Sequence, residues 1–531
     1  PGPSNVWGNA LIEAIKNKKV AEDLIDDKVK RILSIAEFSK RFDQPKIKNE
    51  EAIDNPEHRK LLRKAAADGM VLLKNDDMLP LKKDIKKLAI IGPNAKEAQI
   101  IGGGSASLKP HYQVHPLEAI QARIGSKTEI LYSKGCHTHK YLPKINEKLM
   151  GSSDGFLVEY FDGENFEENL LFKENLRGSK FWVFEGFAKE IIGKEERSKT
   201  SVKFSCAYTP DISGEHAFEI FGIGQCRMLI DDKELIDNWN NIEPGEAFFT
   251  FGSASRKGFA NFEKGKTYKV EVQYYFEGNF PALYIGCQPP DKINLFSEAI
   301  DVASEADAVI LIVGTNSDWE TEGNDRADLN LPTNQNALID AVLNTNKNTA
   351  LIINTGSPVN IPWSNKAKAI LQTWFAGQEF GNALFDILSG EINPSGKLPT
   401  SFPVRIEDTP AFKSYPGKNL QMNYDEKLLI GYRWYEKQSI QPLFCFGHGL
   451  SYTKFKYKNL EINIEDNKEV SCKFSIKNIG EISGAEIAQC YLRYTKNLEN
   501  EPSKTLQGFC KVNIDAHDEK IYVESEFGVG S

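Results

Sequence analysis

ADAVILIVG, residues 306–314, decides how this chain is to be read. Only Asp307 and the closing Gly314 interrupt the apolar run, and β-branched residues dominate it. A strand with one wet face would alternate, so a short continuous run of this kind predicts a strand covered on both faces. Four other stretches share the texture: KLAIIG at 87–92, EILYSKG at 129–135, TALIINTG at 349–356 and AILQTWFAG at 369–377. Between them, PLEAIQARIG (116–125), FSEAIDVASEA (296–306), NQNALIDAVLNTN (334–346) and EFGNALFDILSGE (379–391) place apolar residues at the helical period. Strands and helices in alternation predict a parallel sheet with helices on both sides. We therefore expect a doubly wound, five-stranded-type parallel α/β sandwich built from 58–149 and 290–405.

The flanking segments read differently. Residues 9–37 carry Leu11, Ile12, Ile15, Val20, Leu24, Ile25, Val29, Ile32 and Leu33 at intervals of mainly three and four, which predicts amphipathic helices in a 1–57 linker. HRKLLRKAAADGMVLLKN, 58–75, extends this pattern as a further helix. From 150 to 289, GFLVEYFDGENF, GQCRMLIDDKELIDNW and TYKVEVQYYFEG alternate aromatic and β-branched residues between turns. They predict an antiparallel β-sandwich inserted into the α/β domain. Proline and glycine punctuate a linker at 406–454, and 455–531 reads as a small terminal β-sandwich that we expect to be truncated. The whole is multidomain α/β plus β.

Composition narrows the function. The 531 residues hold 65 basic and 74 acidic side chains without a long block of one sign, which argues against a nucleic-acid surface. No apolar run approaches the ~18 residues that span a bilayer, so no membrane partner is expected. Eight scattered cysteines without CxxC pairs read as buried free thiols. With no usable Asn-x-Ser/Thr acceptor, they favour a cytoplasmic setting. The opening PGPSNVWG, without Met or a signal-like stretch, reads as a processed subunit or a fragment.

Chemistry concentrates directly after the 306–314 run. TNSDWETEGNDRADLNLP, 315–332, holds five carboxylates within twelve residues. Ligands of open parallel sheets bind beyond the carboxyl ends of strands, and a general acid needs a carboxyl whose pKa an apolar or anionic neighbourhood raises. Spacing alone leaves Glu320, Glu322 and Asp325 as candidates, with Asp325 beside Arg326 placed to form an ion pair that shapes the loop. Acids also enrich loops for capping reasons, so most of these serve structure.

TEGNDRADLNLP, INTGSPVNIPW, LQTWFAGQEFGNALFDILSGEINPSGKLPTSFP, IGYRWYE and LFCFGHGLSYTKFKY, preceded by AADGMVLLKN, IIGPNA and GGGSASLKPHY, closely resemble the post-barrel half of glycoside hydrolase family 3 β-glucosidases, in the same order. The resemblance implies hydrolysis of terminal β-D-glucosyl residues by a retaining, exo-acting enzyme, acting on a small β-glucoside or disaccharide with no cofactor and no metal. It assigns the acid/base role to Glu322, with Gly323 turning the loop and Asp325 and Arg326 shaping it. Retaining enzymes need a second carboxyl about 5 to 5.5 Å away. In the resembled family that nucleophile is an Asp on an N-terminal (β/α)8 barrel, which we expect as a separate domain or subunit. Ser317-Asp318-Trp319 repeats the nucleophile tripeptide by letters, on the wrong domain. A homo-oligomer is compatible with all of this.

The insertion resembles the PA14 module found within some of these enzymes, where it narrows the acceptor site, and the terminal sandwich resembles fibronectin type III. Calcium is not expected: Phe221-Gly222-Ile223-Gly224 stands where an Asp pair would bind it, and Asp231-Asp232 read as a hairpin turn. Among Trp239, Tyr274, Tyr275, Phe276 and Phe280, most read as core, with Phe276 and Phe280 the exposed sugar contacts. Trp319 is a third candidate contact. Gly102-Gly103-Gly104 lacks the rest of a phosphate loop and is expected at the rim of the site. Cys136-His137-Thr138-His139 reads as a solvated loop and His448 as a domain joint. Lys427 stands where the family usually has Gly, a departure that bears on the turn there. The alternative from another class is a carbohydrate-binding or adhesion protein acting through the PA14-like module.

Overall fold

The computed structural model describes residues 7–44, 49–151, 155–167, 169–192, 199–464, 469–493 and 501–528. Two compact units result, 1–56 and 57–531. In the first, the helices Asn9–Lys16 and Glu22–Phe38 form where expected. They bury no residue, and Leu24, Ile32, Ile35 and Phe38 stand exposed.

In the second unit the five apolar runs form Lys87–Ile91, Glu129–Ser133, Ala308–Gly314, Thr349–Asn354 and Ala369–Gln372, all parallel. Ala308–Gly314 lies between Lys87–Ile91 and Thr349–Asn354, and every one of its residues is buried. That burial on both faces is what its unbroken apolar sequence requires. Pro116–Arg123 and Phe380–Ser389 cover one face, Leu295–Glu305 and Gln335–Thr345 the other.

A sixth strand corrects the sequence reading. The helix expected over 58–75 ends at Gly69, and Val71–Asn75 joins the sheet antiparallel to Ala369–Gln372. Val71 and Leu73 face one core while Met70 and Leu72 face the other, so the period is two rather than 3.6.

Between Ser133 and Leu295 the chain builds a separate antiparallel sandwich of a six-stranded and a four-stranded sheet. Phe156, Phe204, Phe218, Tyr274 and Leu283 fill its core. Asp231 and Asp232, at φ 48° and 63°, form the hairpin turn expected of them, and Lys269 N–H donates to Asp231 Oδ1 at 2.8 Å. At the other end of the chain, a three-stranded sheet (Phe455–Ile464, Glu469–Asn478, Glu519–Gly528) accompanies a two-stranded one (Gly484–Arg493, Lys504–Ile514). His448 Nε2 meets the Leu73 carbonyl at 2.8 Å and its ring stacks on Phe444, a structural placement.

Asp386, buried on the Phe380–Ser389 helix, takes Arg63 Nε at 2.6 Å and Arg123 Nη2 at 2.7 Å, so one carboxylate joins three helices. Removing a buried partner strands charge: Asp386→Ala is expected to cost about 2–4 kcal/mol, softened because both guanidinium groups reach solvent. A fall in the thermal unfolding midpoint checks it. Lys427 holds φ 50°, the region glycine enters without a Cβ penalty. Lys427→Gly is expected to stabilise by about 0.5–1 kcal/mol in the same measurement.

Candidate active site

The loop after Ala308–Gly314 leaves the sheet at its carboxyl edge, and one carboxylate anchors it. Thr315 Oγ1 donates to Glu320, as do Gly356 N–H at 3.0 Å and Ser357 Oγ at 3.1 Å. Gly356 has no side chain because a Cβ there would lie 2.7 Å from Glu320 Oε2. Glu320's own carbonyl accepts Gly103 N–H at 2.9 Å, which draws in the glycine loop that follows Lys87–Ile91. Beneath, Asn94 Nδ2 donates to the Thr315 carbonyl and to Asn354 Oδ1, each at 3.0 Å. Three strand ends are thus tied together before Glu322 is reached.

Two residues on, Glu322 is exposed. Its Oε2 accepts Ser105 N–H at 3.0 Å and the Ser105 hydroxyl. These donors hold the Glu322 carboxyl below the ordinary glutamate range. The sequence led us to expect the opposite, a raised acid. The burial that would raise it is absent around a side chain open to solvent. Gly104, at φ 67°, lets the loop pass so closely that a Cβ would meet Glu322 Cβ at 2.6 Å. Gly323, at φ 85°, makes the turn assigned to it, with Phe249 of the insertion against it.

The Asp325–Arg326 ion pair does not form. Arg326 donates instead to Ser357 Oγ at 3.1 Å and the Asn330 carbonyl at 3.0 Å, while Asp325 accepts the Tyr415 hydroxyl. Each residue still shapes the loop, through Asn330 within it and through Ser357 and Tyr415 from outside it. Asp318 is half-buried, and loss of hydration raises its pKa, which makes it a poor anionic nucleophile.

Two hollows meet at Glu322. A groove of about 880 Å³ runs past Gly102, Ser105, Trp319, Arg326, Pro358 and Phe375 to the 400–435 segment. A smaller cavity of about 360 Å³ opens on the other side, between the loop and the insertion. Gly103, Thr321, Glu322 and Asn324 line both.

Trp319 is a wall of the groove; its Nε1 donates to the Thr138 carbonyl at 2.7 Å and Lys140 Nζ sits 5.6 Å over its ring. Phe276 is not an exposed contact. It is buried in the insertion core, stacked on Tyr274 at 5.5 Å, because its strand position faces inward. Phe280 is exposed as expected but lines neither hollow. The aromatic rings near Glu322 are others, Trp182, Phe248 and Phe249, which sequence reasoning missed because they lie more than seventy residues away. Ser105 was missed too, although the GGGS run was its signal.

The 136–139 segment is not a solvated loop: Cys136 is buried, and burial beside His137 lowers the His139 pKa to about 4. Cys445, in turn, is exposed rather than buried. Among the described residues, no three His, Cys, Asp or Glu side chains converge as metal ligands, and no helix is long and apolar enough to cross a membrane.

Residues 70–452 match the glycosyl hydrolase family 3 C-terminal domain. The chain belongs to that family. It is 36% identical to a probable beta-glucosidase I of Emericella nidulans over 99% of this chain and 65% of the relative. Against the Aspergillus niger protein of the same description the identity is also 36%, covering 98% and 66%. The beta-glucosidase of Kluyveromyces marxianus, solved with glucose, superposes with a TM-score of 0.85 at 30% identity, over 99% of this chain and 65% of that one. The chain thus spans about two thirds of the length of these relatives.

Ser105→Ala removes the hydroxyl donor and is expected to raise the Glu322 pKa toward the ordinary ~4.3, read by carbon-13 NMR titration of the carboxyl. Since Glu322 is favoured as an anion in the folded state, that contribution is present above the unfolded pKa and fades as pH falls through the lower folded value. Glu320→Ala strands three donors and is expected to lower stability by about 1–3 kcal/mol, checked by thermal unfolding.

Proposed function

We propose that this chain is the acid/base-bearing part of a retaining, exo-acting β-glucosidase, with Glu322 as the general acid/base. The observation that carries the reading is the position of Glu322: exposed, on a loop beyond the carboxyl end of a central strand, where two hollows meet. Kinship with proteins described as beta-glucosidases supports the substrate class, a small β-glucoside or disaccharide. In this reading Glu322 protonates the departing glycosidic oxygen, then as carboxylate deprotonates the water that releases the sugar.

The same reading assigns the nucleophile to a barrel domain outside these residues. Around Glu322, every other loop acid has a different task or state: Glu320 anchors, Asp325 holds Tyr415, Asp328 accepts the Asn330 N–H at 2.7 Å, and Asp318 is half-buried with a raised pKa. A covering domain that carries an anionic nucleophile would also remove water from Glu322. Both effects push its carboxyl up, toward what a general acid needs. The exposed apolar residues of 9–38 are surface that such a partner would bury. We further read 150–289 as a PA14-like module, 455–531 as fibronectin type III-like, and 58–149 with 290–405 as the α/β sandwich between the 1–57 and 406–454 linkers.

The test uses the protein extended by its nucleophile domain. Glu322→Ala is expected to lower kcat/KM on a disaccharide by ~10²–10⁴, and far less on a 2,4-dinitrophenyl glucoside, whose leaving group needs no proton. Equal losses on both substrates would remove the acid role. Residues 1–531 alone are expected to leave an aryl β-glucoside unhydrolysed; burst kinetics from them would refute the external nucleophile.

A further inference from the structure

The smaller cavity beside Glu322 has a composition that the proposed reaction does not use. On the insertion side its wall is a continuous aromatic cluster. Tyr141 lies 4.5 Å from Phe221, which stacks on Tyr284 at 4.8 Å; Trp182 packs on Phe248 at 5.5 Å and on Phe249 at 5.4 Å. The last two rings are held by a turn in which Phe248, Phe249 and Thr250 all have positive φ, between 53° and 67°. Consecutive left-handed non-glycine residues cost free energy, and that cost is met where surrounding contacts demand the shape. Here Gly245 N–H donates to the Gly252 carbonyl at 2.8 Å and Ser253 N–H to the Gly222 carbonyl at 2.8 Å, which closes the turn onto the sandwich.

Two lysines share the cavity. Lys144 and Lys180 form no ion pair among the described residues, and Lys180 Nζ lies 5.8 Å from the centroid of Trp182. Lys140, by contrast, is already paired with Glu246 at 2.6 Å. Among the described residues that line this cavity, the acid besides Glu322 is Asp318, half-buried and raised in pKa by loss of hydration despite the nearby lysines. Flat rings in one cavity with two ammonium groups outside any ion pair, one of them over the Trp182 ring, suit a flat ligand that carries negative charge.

We propose that this cavity is an aglycone site for aromatic acids: it binds an aryl group against the cluster of Trp182, Phe248 and Phe249, with the ligand's carboxylate on Lys144 and Lys180. The preferred substrates of the Glu322 centre are then β-glucosides of phenolic acids. The assignment rests on the proposed glucosidase reading for the word substrate, but the binding step does not.

The experiment titrates the 531-residue chain calorimetrically with 4-hydroxybenzoate and with its neutral isostere 4-hydroxybenzamide. Benzoate is expected to bind at least tenfold tighter, with the preference shrinking in 0.5 M salt. Lys144→Gln with Lys180→Gln is expected to abolish the preference and leave benzamide unchanged. Asp318→Asn is expected to tighten benzoate binding at least threefold. Equal affinities, a preference that survives the lysine changes, weaker benzoate binding in Asp318→Asn, or no binding of either compound would each overturn the proposal. Glu322→Gln is expected to retain the preference. A retained preference beside turnover indifferent to Glu322 would sink the catalytic reading and leave this site standing; turnover dependent on Glu322 without the preference would do the reverse.

Discussion

The Glu320 carboxylate is the interaction on which the site depends. It accepts from Thr315, Gly356 and Ser357, groups at the ends of neighbouring parallel strands, while its backbone carbonyl holds the glycine loop through Gly103. Loops at strand ends are mobile unless their polar groups are satisfied. Here a buried amide pair, Asn94 and Asn354, satisfies the backbone below, and Glu320 satisfies the layer above. Glu322, two residues later, inherits a defined direction from an acid whose own oxygens are engaged by the scaffold.

Glycine sets how closely the pieces approach. At Gly103 and Gly104 any side chain would collide with the acid-bearing loop, so the strand-end loop and Glu322 share one surface. Gly323 does the same for the insertion, whose Phe249 rests against it. A β-sandwich spliced in far upstream thereby becomes a wall beside Glu322. The charge state of Glu322 follows from these contacts too: Ser105 stands within reach only because Gly104 takes a left-handed turn. The carboxyl is consequently an anion in solvent, and any role as an acid depends on a covering that excludes water.

Much of the architecture was legible. Apolar runs marked the five parallel strands, most plainly Ala308–Gly314, whose burial on both faces leaves no position for a polar residue, whereas the edge strand Glu129–Ser133 is only partly buried; Asp231-Asp232 marked its hairpin because few residues tolerate positive φ. Other readings failed for physical reasons. Met70 to Leu73 are uniformly apolar, and an unbroken run carries no period, so helix and strand looked alike. Phe276 alternates into a core whose inward face no local pattern announces. Arg326 passes over the adjacent Asp325 for Ser357 and Asn330, since burial beside another strand end offers better-placed acceptors.

What the sequence by itself determined is the order of elements, the family, and the loop that holds Glu322, because hydrophobic period and a long collinear motif are local properties of the chain. What only the tertiary structure decided is the company Glu322 keeps: Ser105 as donor, Asp318 half-buried, Trp182, Phe248 and Phe249 as neighbours. Apart from Asp318, on the same loop, those neighbours come from segments seventy to more than two hundred residues away. Their distances are set by how sheets pack and where glycine lets backbones touch, and neither quantity is written in any stretch of residues read alone.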